Sequence, residues 1–263
     1  MDEILDIPIL QLVFAYIFIV ILLIIAKYRE VGHTSEIILA SVRMTVQLVL
    51  MGFVLTYIFD NPSFWLVLIV LTLMEGFAVQ NIFGRISTDI FPSLKRIIAV
   101  AMFTGTGISI FVFLIIVIGL DPWYLPQYFI PISGMLIGNS MTGISLGVEG
   151  LINGIRDNRA MIETALMMGA EPELTTKEIS NRAFYNAILP TLNSMLGMGI
   201  IFLPGMMTGQ ILAGAPPLTA IKYQIAIMMG ILGSVTMTVY IMIHWGAKTF
   251  FNERSQLKEN HSK

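Results

Sequence analysis

The sequence predicts an all-α integral membrane protein with about seven transmembrane helices and a helical cytoplasmic segment between the fifth and sixth spans. Apolar residues make up 56 % of the chain and charged residues only 12 %, which gives a mean hydropathy of +0.82. Apolar stretches long enough to cross a bilayer recur along the chain, and nearly all basic residues fall in alternate connections between them. The 263 residues leave room for these spans and for no separate globular domain.

Each predicted span is an apolar run close to the length that the hydrocarbon core requires. The runs are residues 7–26, 37–59, 64–83, 97–118, 128–148, 188–213 and 223–245. In hydrocarbon every backbone N–H and C=O group needs a partner within the protein, so these runs predict helices. We expect residues 1–250 to form one transmembrane domain and residues 251–263 to be a short, frayed cytoplasmic tail. The first run is preceded by acidic residues rather than basic ones, so we expect it to be a retained helix and not a cleaved signal peptide.

The positions of the basic residues predict the orientation, because cytoplasmic loops keep an excess of Lys and Arg. Of the 15 basic residues, only Lys222 belongs to the side that contains the N-terminus and the loops around Asp60, Asp121 and Pro216. Only Arg43 lies inside a span. The simplest solution is an odd number of crossings in the plasma or inner membrane of the cell, with the N-terminus outside and the C-terminus in the cytoplasm.

The longest polar stretch, residues 149–187, is predicted to form two cytoplasmic helices. Asp157 or Asn158 can cap the first helix, and Gly169 suits the left-handed residue that ends it. Pro172 suits the first turn of the second helix, which we expect to continue into the sixth span.

Polar side chains and thioethers within the spans are the candidates for a substrate pathway. Buried polar groups in a membrane are costly and normally face the bundle interior or a water-filled cavity. The candidates are Arg43, Gln47, Glu75, Asn139, Met141, Asn193, Met195, Met207 and Gln210. Arg43 and Glu75 could form an internal ion pair that locks two helices. An unpaired, hydrated Glu75 would instead be a hard-oxygen metal ligand or a proton acceptor.

Several of these candidates have a simpler structural interpretation. The motif N-S-M-x-G starts at Asn139 and again at Asn193, but a repeat this short is expected by chance in so biased a composition. The 18 methionines could be soft-metal ligands, although adaptable packing is the better interpretation. Glycines four residues apart, such as Gly143 and Gly147, predict close packing at a bundle or dimer interface. Pro204 predicts a kink in the sixth span.

The sequence contains no recognisable catalytic motif. It has no G-x-x-x-x-G-K-[ST] loop, no H-E-x-x-H, no cysteine and three scattered histidines. We therefore expect a non-catalytic chain that binds no cofactor. If ATP is used, a second polypeptide must bind the ATP and Mg²⁺. The net charge of -2 indicates no particular partner, and we expect no nucleic-acid binding.

Residues 163–170, E-T-A-L-M-M-G-A, resemble the E-A-A-x-x-x-G signature with which ABC-transporter permeases dock a short coupling helix onto the ATPase subunit. The resemblance assigns ATPase coupling to Glu163, Ala165, Leu166, Met167 and Gly169. An ordinary amphipathic surface helix is the alternative, because the signature is short. The usual I-x-L-P continuation is also displaced, since Leu189 and Pro190 follow Ile179 only after a longer gap.

A second group of motifs spreads over residues 42–244. It consists of R-x-x-x-Q at Arg43 and Gln47, G-N-S-M-T-G from Gly138, P-T-L-N-S-M from Pro190, L-P-G-M-M-T-G-Q-I-L-A-G at residues 203–214 and K-Y-Q-I from Lys222. Together these motifs resemble the FetB-type iron-export permeases, whose plant relatives act in aluminium tolerance. The resemblance implies a homodimeric permease in the lipid bilayer that works with two copies of a separate ABC-type ATPase and exports iron.

We therefore expect the permease subunit of an ATP-driven exporter of iron or another metal ion, with the fifth and sixth spans lining the path. A permease for a small organic solute such as a nucleotide sugar is an alternative. A self-sufficient secondary transporter or channel is another, but it would not need the cytoplasmic helix pair. A receptor-like or scaffold protein would be expected to have more elaborate outer loops.

Overall fold

The computed structural model describes residues 7–30, 32, 34–86 and 91–258. Within these residues the regular secondary structure is helical and contains no strand, which confirms the predicted all-α class. The chain divides into two compact units. The first is residues 1–62 with 212–214, and the second is residues 63–211 with 215–263.

The first unit contains the most hydrophobic of the six long helical segments in the described chain. Helices α1 (Ile9–Ala15) and α2 (Ile17–Tyr28) are separated only by Tyr16 and together form an apolar segment of 20 residues. Helix α2 packs along α3 (Thr34–Asp60). The Tyr16 hydroxyl is hydrogen-bonded to the Thr45 hydroxyl of α3, which satisfies two polar groups within an apolar helix pair.

The second unit is a helical bundle. In chain order these are α4 (Phe64–Arg85), α5 (Pro92–Phe111), α6 (Pro126–Asp157), α7 (Arg159–Met167), α8 (Pro172–Gly197), α9 (Gly205–Leu212) and α10 (Pro217–Lys248). Helix α5 continues as a π-helical segment, Val112–Ile118. Helices α5, α6, α8 and α10 each begin with proline in the first turn, where the missing N–H costs no intrahelical hydrogen bond.

Helices α6 and α10 form the centre of this bundle. Helix α6 contacts α4, α5, α8 and α10, and α10 also contacts α5 and α8. A Cβ atom at Gly143 would lie 2.7 Å from Val235 Cγ1 on α10, and one at Gly154 would lie 2.5 Å from Ile179 Cγ2 on α8. The glycines of α6 therefore allow close packing inside the bundle, as their spacing predicts.

Six helical segments of the described chain are long and apolar enough to cross a membrane. They are Ile9–Tyr28, Thr34–Asp60, Phe64–Arg85, Pro92–Ile118, Pro126–Asp157 and Pro217–Lys248. They correspond to the first five predicted spans and the seventh. The expectation of one continuous helix over residues 188–213 is wrong, because α8 ends at Gly197 and α9 begins at Gly205.

The interruption between α8 and α9 has a local cause. Gly199 adopts a φ of +85°, which an α-helix cannot accommodate, and its N–H donates to the Phe202 carbonyl over 2.9 Å. Pro204, immediately before α9, has no N–H to donate to a helix that continued through it. The sequence predicts a kink at Pro204, whereas the chain leaves the helix over the whole segment from residue 198 to 204.

The cytoplasmic hairpin predicted for residues 149–187 begins later than expected, because α6 extends to Asp157. Its two helices are present as α7 and the start of α8, and Gly169 ends α7 with a φ of +92°. The predicted side-chain cap is absent. The Asn158 side-chain amide donates to the Gly154 carbonyl over 2.8 Å instead of capping α7.

The predicted frayed tail is ordered through Lys258. Residues 249–258, the C-terminal hook, fold back so that the Lys258 N–H donates to the Phe250 carbonyl over 2.8 Å. Phe250 and Phe251 are buried, and the Phe250 ring packs edge-on against Phe91 with centroids 6.1 Å apart. These two aromatic side chains explain why a polar tail remains folded, since only burial in the bundle removes their rings from water. The last five residues of the tail, 259–263, lie outside the described range.

Candidate functional site

The short helix α7 presents an apolar tip on a fixed base. Ile162 is fully buried and anchors the helix, whereas the side chains of Met167 and Met168 are 81 % and 78 % exposed. Ala165 and Leu166 are half-buried between them. Exposed apolar side chains at the end of an anchored helix are typical of a surface that a partner covers.

The sequence predicts an exposed carboxylate at Glu163, and the structure places this side chain in an ion pair. Arg159 Nε donates to Glu163 Oε1 over 2.8 Å, one helical turn away, and both side chains are about two-fifths exposed. The pair stabilises α7 only slightly because water surrounds it. Its carboxylate remains accessible to a partner that can supply a second donor.

A groove of about 930 Å³ separates α7 from the C-terminal hook. Its α7 wall includes Leu166 and Met167, and its opposite wall includes Arg254 and Leu257 of the hook. Lys258 fixes that wall, because its ammonium group donates to the Thr249 carbonyl over 2.8 Å. The groove thus combines apolar walls with the positive charge of Arg254, which has no ion-pair partner among the described residues.

Helix α6 carries a polar stripe. Its members recur every three or four positions and fall within an arc of about 120°. They are Asn139, Thr142, Ser145, Glu149, Asn153 and Arg156. The stripe covers about 25 Å of the helix, from inside the predicted membrane core to the end predicted to be cytoplasmic. Asn139, Glu149, Asn153 and Arg156 are exposed on the isolated chain. Because lipid cannot solvate these groups, the stripe must face water or another protein surface.

Two hydroxyls and one amide of the stripe satisfy part of their hydrogen bonding within α6. Asn139 Nδ2 donates to the Met135 carbonyl and Ser145 Oγ to the Met141 carbonyl, each over 2.8 Å. Thr142 Oγ1 donates to the Gly138 carbonyl over 3.2 Å. The acceptor lone pairs of these side chains stay free to bind donors outside the helix.

Glu75 lies inside the bundle and not on the exposed stripe. Its side chain is 3 % exposed, and its Oε1 atom accepts a hydrogen bond from Thr106 of α5. Its Oε2 atom has no hydrogen-bond partner among the described residues. The described part of the chain holds no cluster of three His, Cys, Asp or Glu side chains around Glu75 or elsewhere. A metal site at Glu75 therefore stays a prediction.

The other predicted pathway residues are scattered. Arg43 and Gln47 are exposed on α3 in the first unit. Within the second unit Asn193 is exposed on α8, and Met141 and Met195 pack against the apolar core. Over the described residues no hydrogen bond joins Asn193 to Asn139, so the repeated N-S-M-x-G motif does not form one hydrogen-bonded site.

Helix α9 and the start of α10 carry two amides with incomplete hydrogen bonding. Met207 is buried, and the Gln210 side-chain oxygen is buried without a partner in the described structure. Gln224 of α10 donates its amide N–H to Met198 Sδ over 3.7 Å, and its oxygen is likewise unpartnered there. These side chains flank the interruption between α8 and α9, where the helical hydrogen-bond ladder is also broken.

An ion pair joins the C-terminal end of α10 to the N-terminal end of α8, on the predicted cytoplasmic side of the bundle. Lys248 Nζ, at the end of α10, lies 2.8 Å from Glu173 Oε1 in the first turn of α8. The hydrogen bond from Lys248 lowers the pKa of Glu173 below its ordinary value of 4.5. Both side chains are more than half exposed, so the pair adds only slightly to the packing of α8 against α10.

The sequence interpretation missed most of the α6 stripe. It selected Asn139 but not Thr142, Ser145, Glu149 or Asn153, although the spacing of three to four residues was available as a signal. Glu149 and Asn153 lie beyond residue 148, where the predicted span ended, and counted as part of a loop. Thr142 and Ser145 lie inside the span, where only carboxylate, amide, guanidinium and thioether side chains were selected. It also missed Thr106, whose role depends on a contact between two different helices.

These features define a multi-pass helical membrane protein with an anchored amphipathic helix and a polar stripe. A sequence profile described as "Uncharacterised protein family (UPF0014)" matches residues 9–251, and the chain belongs to this family.

Several relatives align over nearly the whole chain. "UPF0014 membrane protein YjkA" of Bacillus subtilis is 34 % identical over 255 residues, 95 % of this chain and 98 % of its own length. "Protein ALUMINUM SENSITIVE 3" of Arabidopsis thaliana is 33 % identical over 248 residues, 93 % of this chain and 88 % of its own length. "Probable iron export permease protein FetB" of Escherichia coli is 29 % identical over 247 residues, 94 % of this chain and 93 % of its own length. The family resemblance read from the motifs is therefore confirmed. No solved structure matches the chain significantly.

Proposed function

We propose that this chain is the membrane subunit of an ATP-driven exporter and that it docks a separate ABC-type ATPase through α7. The observation that carries the proposal is α7 itself, anchored by the buried Ile162, with Met167 and Met168 exposed and Gly169 ending the helix. An isolated apolar tip of this kind is costly in water unless a partner buries it. Under this proposal ATP and Mg²⁺ bind to the partner, and this chain has no enzymatic activity.

The groove between α7 and the C-terminal hook supports the same partner. An element of the ATPase could enter between Met167 and Leu257 and lose apolar surface to water on both sides. Arg254 adds positive charge to that groove, so an acidic element of the partner would fit. The Glu163 carboxylate, already held by Arg159, would position a donor from the partner beside the apolar contacts.

The polar stripe of α6 supports a homodimer around a translocation path. One exposed polar stripe is explained if two copies of the chain face each other and leave a hydrated path between their α6 helices. We further propose seven crossings, the sixth formed by the apolar half of α8 together with α9, which puts the N-terminus outside. Interrupted helices often line transport paths, because their free backbone groups face a cavity.

The proposed cargo is iron or another metal ion. This assignment comes from the likeness to the Escherichia coli relative, which is named a probable iron export permease. A small organic solute is the second candidate, favoured by two arginines that line one groove, Arg156 of the α6 stripe and Arg85 beside it.

A charge-swap experiment tests docking at α7. The protein is co-expressed with each ABC-type ATPase of the source organism that lacks its own membrane domain, and complex formation and ATP hydrolysis are measured. We expect one ATPase to co-purify and Glu163→Lys to abolish its stimulated hydrolysis. The double variant Arg159→Glu/Glu163→Lys is the matched control, because it restores an ion pair within α7.

The two variants separate docking from simple helix stability. If the Glu163 carboxylate contacts the ATPase, the double variant remains inactive although its own helix is intact. Recovery of activity in the double variant would show that Glu163 only stabilises α7, and full activity of Glu163→Lys would end the docking proposal. Because the natural chain has no cysteine, Met168→Cys also allows a unique maleimide label, which should react only from the cytoplasmic side.

A further inference from the structure

A second groove lies beside the polar stripe of α6 and shares no residue with the α7 groove. It has a volume of about 370 Å³ and lies between the end of α4 and the cytoplasmic half of α6. Its polar lining consists of Arg85 from α4 and of Thr142, Ser145, Glu149, Asn153 and Arg156 from α6. The volume is within the range of small-molecule sites, which begins at about 300 Å³. We call it the α4–α6 groove.

Three charged side chains line the α4–α6 groove. Arg85, Glu149 and Arg156 make no hydrogen bond or ion pair with any described residue, although all three line the same space. Two guanidinium groups and one carboxylate leave a net positive charge. Guanidinium groups bind carboxylate and phosphate oxygens through paired, charge-assisted hydrogen bonds, so the groove has the chemistry of an anion site.

The remaining polar side chains of the groove can accept hydrogen bonds from donor groups on the same ligand. The hydroxyls of Thr142 and Ser145 already donate to carbonyl groups of α6, so their oxygens are available mainly as acceptors. Glu149 is an acceptor as well, and the Asn153 amide can both donate and accept. A ligand with an anionic group and a neighbouring hydroxyl or amine would therefore satisfy both halves of the lining.

The position of the groove connects it to the proposed path. Thr142 and Ser145 belong both to the groove lining and to the stripe that continues to Asn139. A ligand released from Arg85 and Arg156 could move along this stripe without meeting lipid. A lipid headgroup could bind the same arginines, but it would not require a polar stripe that extends about 25 Å along α6 from Arg156 to Asn139.

We infer that the α4–α6 groove is the cytoplasmic entry site for cargo and that it binds a carboxylate or phosphate group of that cargo. The cargo is then an anionic solute or a metal ion carried as an anionic complex, and not a bare cation. This inference rests on the proposed role as a permease, whose cargo it specifies.

Protection of an introduced cysteine measures this binding directly. In the cysteine-free chain, Ser145→Cys gives a single thiol within the groove, and its alkylation by a small maleimide is followed on purified protein in detergent. We expect citrate and inorganic phosphate to slow alkylation in a saturable way, whereas MnCl₂ does not. Adding Arg85→Gln or Arg156→Gln should weaken protection about tenfold or more, since each removes charged hydrogen bonds. Arg96→Gln, which changes an exposed arginine of α5 outside the groove, is the matched control and should leave protection unchanged.

Three outcomes would overturn the inference. Protection by Mn²⁺ that is lost in Glu149→Gln and strengthened in the arginine variants would make the groove a cation site. Protection only in nanodiscs that contain phosphatidylglycerol, with none by citrate or phosphate, would make it a lipid site. Protection by neither anion in protein that alkylates normally would remove it as a binding site. The assay contains no ATPase, so failure of docking at α7 leaves its result unaffected, and its own failure leaves docking untouched.

Discussion

The contact of α5 with α10 at Gly105 gives a sharp test of how this bundle is held together. A Cβ atom at Gly105 would lie 2.5 Å from Thr238 Cγ2 and 2.9 Å from Thr238 Cα. The second atom belongs to the backbone of α10, so no side-chain rotation relieves the contact. Gly105→Ala must therefore move the two helices apart by roughly half an ångström or more to reach van der Waals separation.

The cost can be estimated by comparison with a glycine on the same helix. Overpacking of a core by a methyl group costs about 1–3 kcal/mol, and the better helix propensity of alanine returns up to about 1 kcal/mol. Gly107 has no atom within 4 Å of its ideal Cβ position, so Gly107→Ala changes the propensity without the clash. The difference between the two variants isolates packing and should be about 1–3 kcal/mol.

The assay is reversible denaturation in mixed micelles, with the folded fraction measured for the parent protein and both variants. We expect Gly105→Ala to lower the free energy of unfolding by about 1–2 kcal/mol, which is about a five- to thirtyfold change in the folded to unfolded ratio. Gly107→Ala should equal or slightly exceed the parent. Equal stability of the two alanine variants would refute close backbone packing of α5 against α10.

Three further changes probe particular contacts. Thr106→Val removes the donor to a buried carboxylate and should destabilise the protein by about 1–3 kcal/mol in the same denaturation assay. Thr104→Val, on the exposed face of the same helix, should change it by less than about 0.5 kcal/mol, and equal effects would contradict the buried hydrogen bond. Gly199→Ala places a side chain at a φ of +85° and should cost about 1–2 kcal/mol; no loss of stability would argue against the interruption after α8. Glu173→Gln should lower the melting temperature above about pH 5 and leave it unchanged in acid. The reason is that the hydrogen bond from Lys248 lowers the pKa of the folded carboxyl, so its stabilisation is present above the ordinary pKa and is lost as the pH falls through the folded value. A pH-independent difference from the parent would contradict this link.

The helix ends of the hairpin formed by α7 and the start of α8 could be predicted from the sequence because their causes are local. The backbone preferences of single residues predict that Gly169 ends α7 and that α8 begins at Pro172. The structure confirms both helix ends. The hook could not be predicted in the same way. Its order depends on Phe250 meeting Phe91, residues far apart in the chain, and a composition-based interpretation sees only a polar tail.

The candidate site also contains features with local causes, which the sequence reveals, and features that depend on contacts between distant residues. Glu163 to Gly169 could be found because the signature is contiguous and falls within one short helix. The α4–α6 groove could not, since Arg85 and Arg156 come from different helices whose packing brings them to one space. Glu75 shows what the sequence leaves open. The sequence marks it as an intramembrane carboxylate, but only packing decides whether that carboxylate faces a path or, as here, Thr106 inside the bundle.

The sequence by itself determined that the chain is a helical membrane protein, because hydrocarbon imposes the same length and hydropathy on every span regardless of its neighbours. It also determined the family, through motifs spread over most of the chain. Only the tertiary structure decided that the run over residues 188–213 is interrupted and which polar residues share a surface. Average hydropathy cannot report a left-handed backbone at Gly199 or the packing of α6 against α4, because both depend on geometry and not on composition.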